Sequence, residues 1–188
     1  MKKLLIASLL AAASAVAFAA PVTYTVDPSH TYAAYDINHM GFSNQSGTFT
    51  RVSGTVTLDT AAHSGVVDVT VDTDSLQTFW PARDKHLKSE AFFNVAKYPT
   101  MTYKADKLVF DGDKLTRVEG NLTLLGVTKP VTLTITNYRG GKNPMVGKDE
   151  YAANAVAQIK RSDFGMTTYL PAIADDVTLR LTIEALGQ

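Results

Sequence analysis

The chain has 188 residues, with 18 basic and 18 acidic side chains and no cysteine. A balanced charge lacks the basic surplus that nucleic-acid binding draws on, and the missing cysteines exclude disulfide frameworks, thiol catalysis and thiolate metal sites. Folding must therefore rest on core burial, in a length that suits one domain.

Residues 1–19, "MKKLLIASLLAAASAVAFA", read as an export leader. Lys2 and Lys3 precede an apolar run from Leu4 to Val16, and Ala17 and Ala19 are the small residues a signal peptidase reads. Cleavage is expected after Ala19, leaving one domain over 20–188 with 16 basic and 18 acidic side chains, a formal charge of −2. The apolar run is shorter than the roughly 20 residues of a spanning helix, so no stable membrane insertion is expected. The expected location is a bacterial periplasm, or the medium beyond it.

Period-two alternation dominates from there. "TYAAYDINHM" puts Thr31, Ala33, Tyr35, Ile37 and His39 on one face, and a weaker run covers 48–59. Val67, Val69 and Val71 oppose Asp68, Thr70 and Asp72. The pattern breaks at "RDKHLKSEAFFNVAKYP", residues 83–99, where charges recur at helical spacing. A helix is predicted over about 83–94, with an Asp84–Lys88 pair one turn apart, Arg83, His86 and Glu90 on one face, Leu87 and Ala91 on another, and Pro99 forcing an extended exit. Alternation resumes over 100–110, 115–125 and 151–160, and in the faces Val131, Leu133, Ile135 and Val177, Leu179, Leu181, Ile183. "AAHSG", "DGDK" and "RGGKNPMVGK" supply turns. Eight or nine strands with one apolar face each must pack on a second sheet or close on themselves. Strands near ten residues with short turns favour an all-β, up-and-down antiparallel barrel with the helix at one side or mouth.

The four histidines, His30, His39, His63 and His86, show none of the close pairing of zinc sites, and no nucleophile elbow is present. "DFG" at 163–165 has neither the glycine-rich loop nor the catalytic loop of a kinase around it. A serine–histidine–aspartate set could still assemble in space, but no catalytic or metal residue is predicted. A barrel of about eight strands is either filled by its own side chains or holds one small ligand. Ala33, Ala153, Ala155 and Ala157 would leave room, beside the softer or aromatic Tyr35, Phe49, Met101 and Met166; the alternative is a full core in which alanine relieves crowding. Each buried methylene contributes about 0.8 kcal/mol, so such a cavity favours a long apolar chain. Arg83, His86 and Arg161 are the candidate donors to a head group. Their structural alternatives are a helix-start Arg83–Asp84 salt bridge and an Arg161–Asp163 clamp at a strand end.

The pieces "DPSHTYAAYDINHMGFS", "GTFTRVSGTVTLD", "RDKHLKSEAFFNVAKYPTMTY", "GNLTLLGVTKPVTL" and "RSDFGM", in this order, resemble the YceI-like family of exported lipocalin-like proteins. The resemblance implies an extended eight-stranded barrel whose interior binds amphiphiles: polyisoprenoids, isoprenoid quinones or fatty-acid derivatives. It implies no catalytic activity and no cofactor beyond such a bound lipid or quinone, and it implies homodimers among relatives. The expected lining is Ala33, Tyr35, Ile37, His39, Phe49, Val69, Met101, Tyr103, Leu133, Ala155, Phe164 and Met166, with Arg83, His86 and Arg161 toward the mouth. The family pattern usually has a larger apolar residue at Ala33, and often isoleucine and phenylalanine at Met101 and Tyr103, so the departures fall in the lining and bear on ligand length. Three functions follow: a carrier of an amphiphile, an enzyme acting on one through His39 or His86, or a redox-accessory module presenting a quinone.

Overall fold

The computed structural model describes residues 20–188, and the expected leader at 1–19 lies outside them. The alternation resolves into eleven strand segments: β1 (Val22–Val26), β2 (Tyr32–His39), β3 (Ser43–Phe49), β4 (Val52–Asp59), β5 (Ser64–Asp72), β6 (Leu76–Gln77), β7 (Thr100–Asp111), β8 (Lys114–Leu124), β9 (Val127–Lys142), β10 (Asp149–Lys160) and β11 (Ile173–Gly187). All pairings are antiparallel. β1 and β2 both lie against β11, and they pair respectively with β4 and β3. Each couple is thus one interrupted stave, broken at residues 27–31 and at 50–51. With β5, β7, β8, β9, β10 and β11 they make eight staves in chain order, and β11 returns to the first to close the barrel. The expected fold stands, and its eleven segments exceed eight because two staves are broken and β6 continues β5 past a short 3-10 turn (Thr73–Ser75) to pair with β3.

The break at 27–31 is built from the "DPSH" motif. The Asp27 carboxylate accepts from the Ser29 backbone at 2.9 Å, the Ser29 hydroxyl at 2.6 Å and His30 Nδ1 at 2.8 Å. The Thr31 hydroxyl then exchanges hydrogen bonds with the Glu184 backbone, tying the break to β11. The Ser29 hydroxyl, and after it His30, holds the Asp27 carboxyl down at about 2, below the usual 3.8. Because the folded value is the lower one, these bonds stabilise the fold above about pH 4, and their contribution is lost as pH falls toward 2. Asp27→Asn should cost roughly 1 kcal/mol at pH 7, and most of that difference should be gone at pH 2. Denaturant titrations at both pH values check this; a difference of undiminished size at pH 2 would assign it to turn shape.

The helix departs from expectation. α1 (Pro81–Leu87) is shorter than 83–94, with Pro81 in its first turn, where a missing N–H costs nothing. Residues 88–98 wind in turns in which Phe92 and Phe93 donate to Ser89 and Leu87 carbonyls. Both phenylalanines are buried against the barrel from these turns. The expected helical pair is absent: Asp84 accepts from the Thr78 backbone and hydroxyl, and Lys88 lies 3.2 Å from Asp74.

A candidate ligand-binding cavity

A cavity of about 560 Å³ runs inside the barrel. Its wall includes Ala33, Tyr35, Ile37 and His39 from β2, Phe49 from β3, Val69 from β5, Met101 and Tyr103 from β7, Leu133 from β9 and Ala155 from β10. Arg83 and His86 of α1, with Arg161 and Met166 beyond β10, border its helical end. Phe164 does not reach the wall. It sits in a 3-10 turn (Arg161–Phe164), off the alternating strand faces, and is packed in the core.

Two local devices keep the interior open. First, Ala155 and Ala33 flank Leu181 on either side in the paired register, so three neighbouring staves present one long side chain between them. Second, tyrosines lie flat on the wall where the facing residue is glycine. A Cβ on Gly47 would meet the Tyr35 ring at 2.4 Å, and one on Gly140 would meet the Tyr151 ring at 2.1 Å. Gly47→Val should therefore push Tyr35 into the lumen, costing about 1–3 kcal/mol and weakening ligand uptake. Combining it with Tyr35→Ala should recover most of both losses, as read by thermal melts and probe titration.

Among the described residues no carboxylate or lysine borders the cavity. Burial pushes the phenols of Tyr35 and Tyr138 up to about 12 and that of Tyr103 higher still, so they stay neutral. The Tyr103 proton is shared by the carbonyls of Val118 and Val131, 3.0 and 2.9 Å away. At the far end, Tyr24, Tyr151, Tyr138, Phe110 and His63 form a chain of ring contacts with centroids 4.9–6.2 Å apart. Of this stack, Tyr138 and Tyr151 line the cavity. The ionisable lining residues other than tyrosine, Arg83, Arg161, His39 and His86, all lie at the helical end.

Those four differ in what they leave free. Arg161 is 3% exposed and donates to the carbonyls of Ala174, Met166 and Ile173 at 2.8–3.0 Å. It is a strand-end clamp, as the structural alternative had it, though its neighbour Ser162 bonds Asp175, and Asp163 takes no part. Arg83 does not pair with Asp84. Its Nε donates to the Thr78 hydroxyl at 2.8 Å, Nη1 to Gln45 at 2.7 Å and Nη2 to the Thr78 carbonyl, leaving two of five N–H groups unengaged. His86 is exposed, 3.5 Å from the Tyr169 hydroxyl and edge-on to Phe92. Among the described residues neither His39 nor His86 is bonded to a carboxylate.

Sequence reasoning missed Tyr138 and Tyr151 of the stack, and Trp80 and Tyr169 at the mouth. "TFWP", a tryptophan before the helix-opening proline, was the one available signal for the mouth. It also missed that Asp27, His30 and Glu184 bring ligand-type atoms within 4.8 Å of one another at the surface.

Residues 24–185 match the model of the YceI-like domain. The chain belongs to the YceI-like family. Protein YceI of Salmonella arizonae and that of Salmonella enteritidis are each 39% identical to this YceI-like chain over 168 residues, 88% of this chain and 87% of theirs. A YceI protein of Campylobacter jejuni superposes with a TM-score of 0.67 at 28% identity, covering 98% of this chain and 99% of its own. BcnA of Burkholderia cenocepacia, at 22% identity and TM-score 0.71, covers 85% and 99%, and a polyisoprenoid binding domain of Saccharophagus degradans, at 16% and 0.67, covers 89% and 99%. These last two share the fold.

Proposed function

We propose that this YceI-like protein carries an elongated amphiphile, with the apolar chain in the barrel and the polar head at the helical end, and performs no chemistry on it. The observation that carries this reading is the polarity of the cavity: an uncharged apolar body with its cationic and imidazole side chains gathered at one mouth. Its volume of about 560 Å³ sits inside the range of small-molecule sites. At about 30 Å³ per water-sized group it holds roughly 20 heavy atoms, a chain of about four isoprene units.

The ligand is an isoprenoid lipid or isoprenoid quinone, a reading supported by the polyisoprenoid-binding protein that shares this fold. With Arg161 committed to backbone carbonyls, His86 and the free N–H groups of Arg83 are the donors left for the head group. The bare imidazoles of His39 and His86, without a carboxylate to orient them, favour binding over turnover. A leader-like start and a cysteine-free domain support work in the periplasm.

The test is to purify the protein from its native host without detergent, extract it with solvent and analyse the extract by mass spectrometry. A stoichiometric polyprenyl chain or quinone, unchanged after incubation with the protein, is expected. A clean extract, with no uptake of added prenyl or quinone probes, would overturn the proposal.

A further inference from the structure

The helical end carries a feature that holding a ligand does not require. Five large apolar side chains stand exposed there: Met40 and Phe42 in the β2–β3 turn, Phe79 and Trp80 before α1, and Tyr169 before β11. Phe42 is 87% and Phe79 98% exposed. Three loops meet to form this rim. The Met40 backbone donates to Ala172 at 3.1 Å, Thr168 donates to the Ala91 carbonyl at 2.8 Å, and Tyr169 reaches His86 of α1. Trp80 and Tyr169 also border the cavity, so the rim and the apolar lining are continuous.

The display is built in. Met40, Phe79 and Tyr169 have φ of 55°, 63° and 63°, a left-handed conformation that bulky side chains rarely adopt; Met40 and Phe79 stay exposed in it, while the Tyr169 ring rests on His86 and Phe92 with 58% of the residue still exposed. The strand leading to Phe79 and Trp80 is fixed at Thr78, which is buried and gripped by Asp84 on one side and Arg83 on the other. The rim is therefore held in place and is no loose loop. Its residue types, Trp, Tyr, Phe and Met, are those that settle at the boundary between lipid tails and water. Residues 78–99 carry Arg83, Lys85, Lys88 and Lys97 against Asp84 and Glu90; with Lys88 paired to Asp74, the surplus is one positive charge on a domain whose formal charge is −2. That asymmetry suits anionic lipid headgroups.

We propose that this mouth docks on the surface of a lipid bilayer, with the rim side chains seated among the headgroups and the cavity opening toward the tails. An apolar chain then passes between bilayer and barrel without crossing water. The inference rests on the carrier reading for its purpose, and on the rim for its geometry.

Trp80 is the single tryptophan of the chain, so intrinsic emission reports the rim directly. Vesicles of phosphatidylethanolamine and phosphatidylglycerol should shift that emission to the blue, and brominated acyl chains should quench it. The double substitution F42S/F79S removes two exposed rings that do not line the cavity, and it should weaken vesicle partitioning at least about tenfold. Uptake of a fluorescent prenyl probe in vesicle-free buffer should be unchanged by it. Unaltered Trp80 emission with vesicles, or equal partitioning by both proteins, would overturn docking. So would a lipid-free dimer that the same substitutions dissolve in a protein that ignores vesicles, since the rim would then meet a second copy. If vesicles bind and the probe does not, docking stands and the carrier reading falls.

Discussion

Ala155→Phe should abolish measurable uptake of prenyl probes while leaving the melting temperature unchanged or higher. Ala155 faces the lumen between Ile135 of β9 and Leu181 of β11. In a filled core, a ring added at such a position costs about 1–3 kcal/mol or more, because neighbours must leave their rotamers. In an open lumen the ring enters empty space and gains dispersion contacts. It also displaces about six of the roughly 20 heavy atoms the cavity can hold, which at about 0.8 kcal/mol per methylene predicts an affinity loss of 100-fold or more. Probe titration and a thermal melt on the same sample decide the matter. A clear fall in melting temperature with binding retained would mean that the lumen is filled and the ligand sits elsewhere.

Arg161→Met should give the largest stability loss of any single change at the mouth, and it should act on the fold rather than on head-group choice. The substitution keeps most of the volume but strands the carbonyls of Met166, Ile173 and Ala174, each of which now accepts from the guanidinium. Unpaired buried acceptors cost about 1–3 kcal/mol apiece, and breaking a buried charged network typically costs about 3–5 kcal/mol in all. At about 2–4 °C per kcal/mol for a domain of this size, the melting temperature should drop by roughly 10–15 °C. Arg161→Lys should recover little, since one ammonium cannot span three carbonyls held by a planar fork. An unchanged melt with altered discrimination between charged and neutral heads would reassign Arg161 to the ligand.

The staves were readable because a half-buried strand must alternate, and Val67, Val69 and Val71 or Leu179, Leu181 and Ile183 could face inward together in no other structure. The interruptions were not, because Asp27 to His30 close a turn on one another without disturbing the pattern on either side. β1 escaped notice for a related reason: only Tyr24 and Val26 of its five residues are buried, too few for a period to emerge. The helix was overextended because charge spacing in 83–94 satisfies helical geometry, whereas the need to bury both Phe92 and Phe93 is a tertiary demand. Candidate lining could be drawn from strand faces, and the 3-10 turn that carries Phe164 off them could not. The alanines hinted at space, but the tyrosines that fold flat over Gly47 and Gly140 depend on which residue lies across the strand pair. That register exists only once the barrel is closed.

The seam between the first stave and β11 links residues far apart in the chain, 153 positions in the case of Thr31 and Glu184. Bringing such distant segments together carries the largest chain-closure cost of any pairing in this topology. Without that seam the polypeptide would be an open trough with two bare edges and its oily side uncovered, a form prone to stick to its own kind. The vessel has an inside by virtue of this one seam. A chain can be enclosed only after the seam is closed.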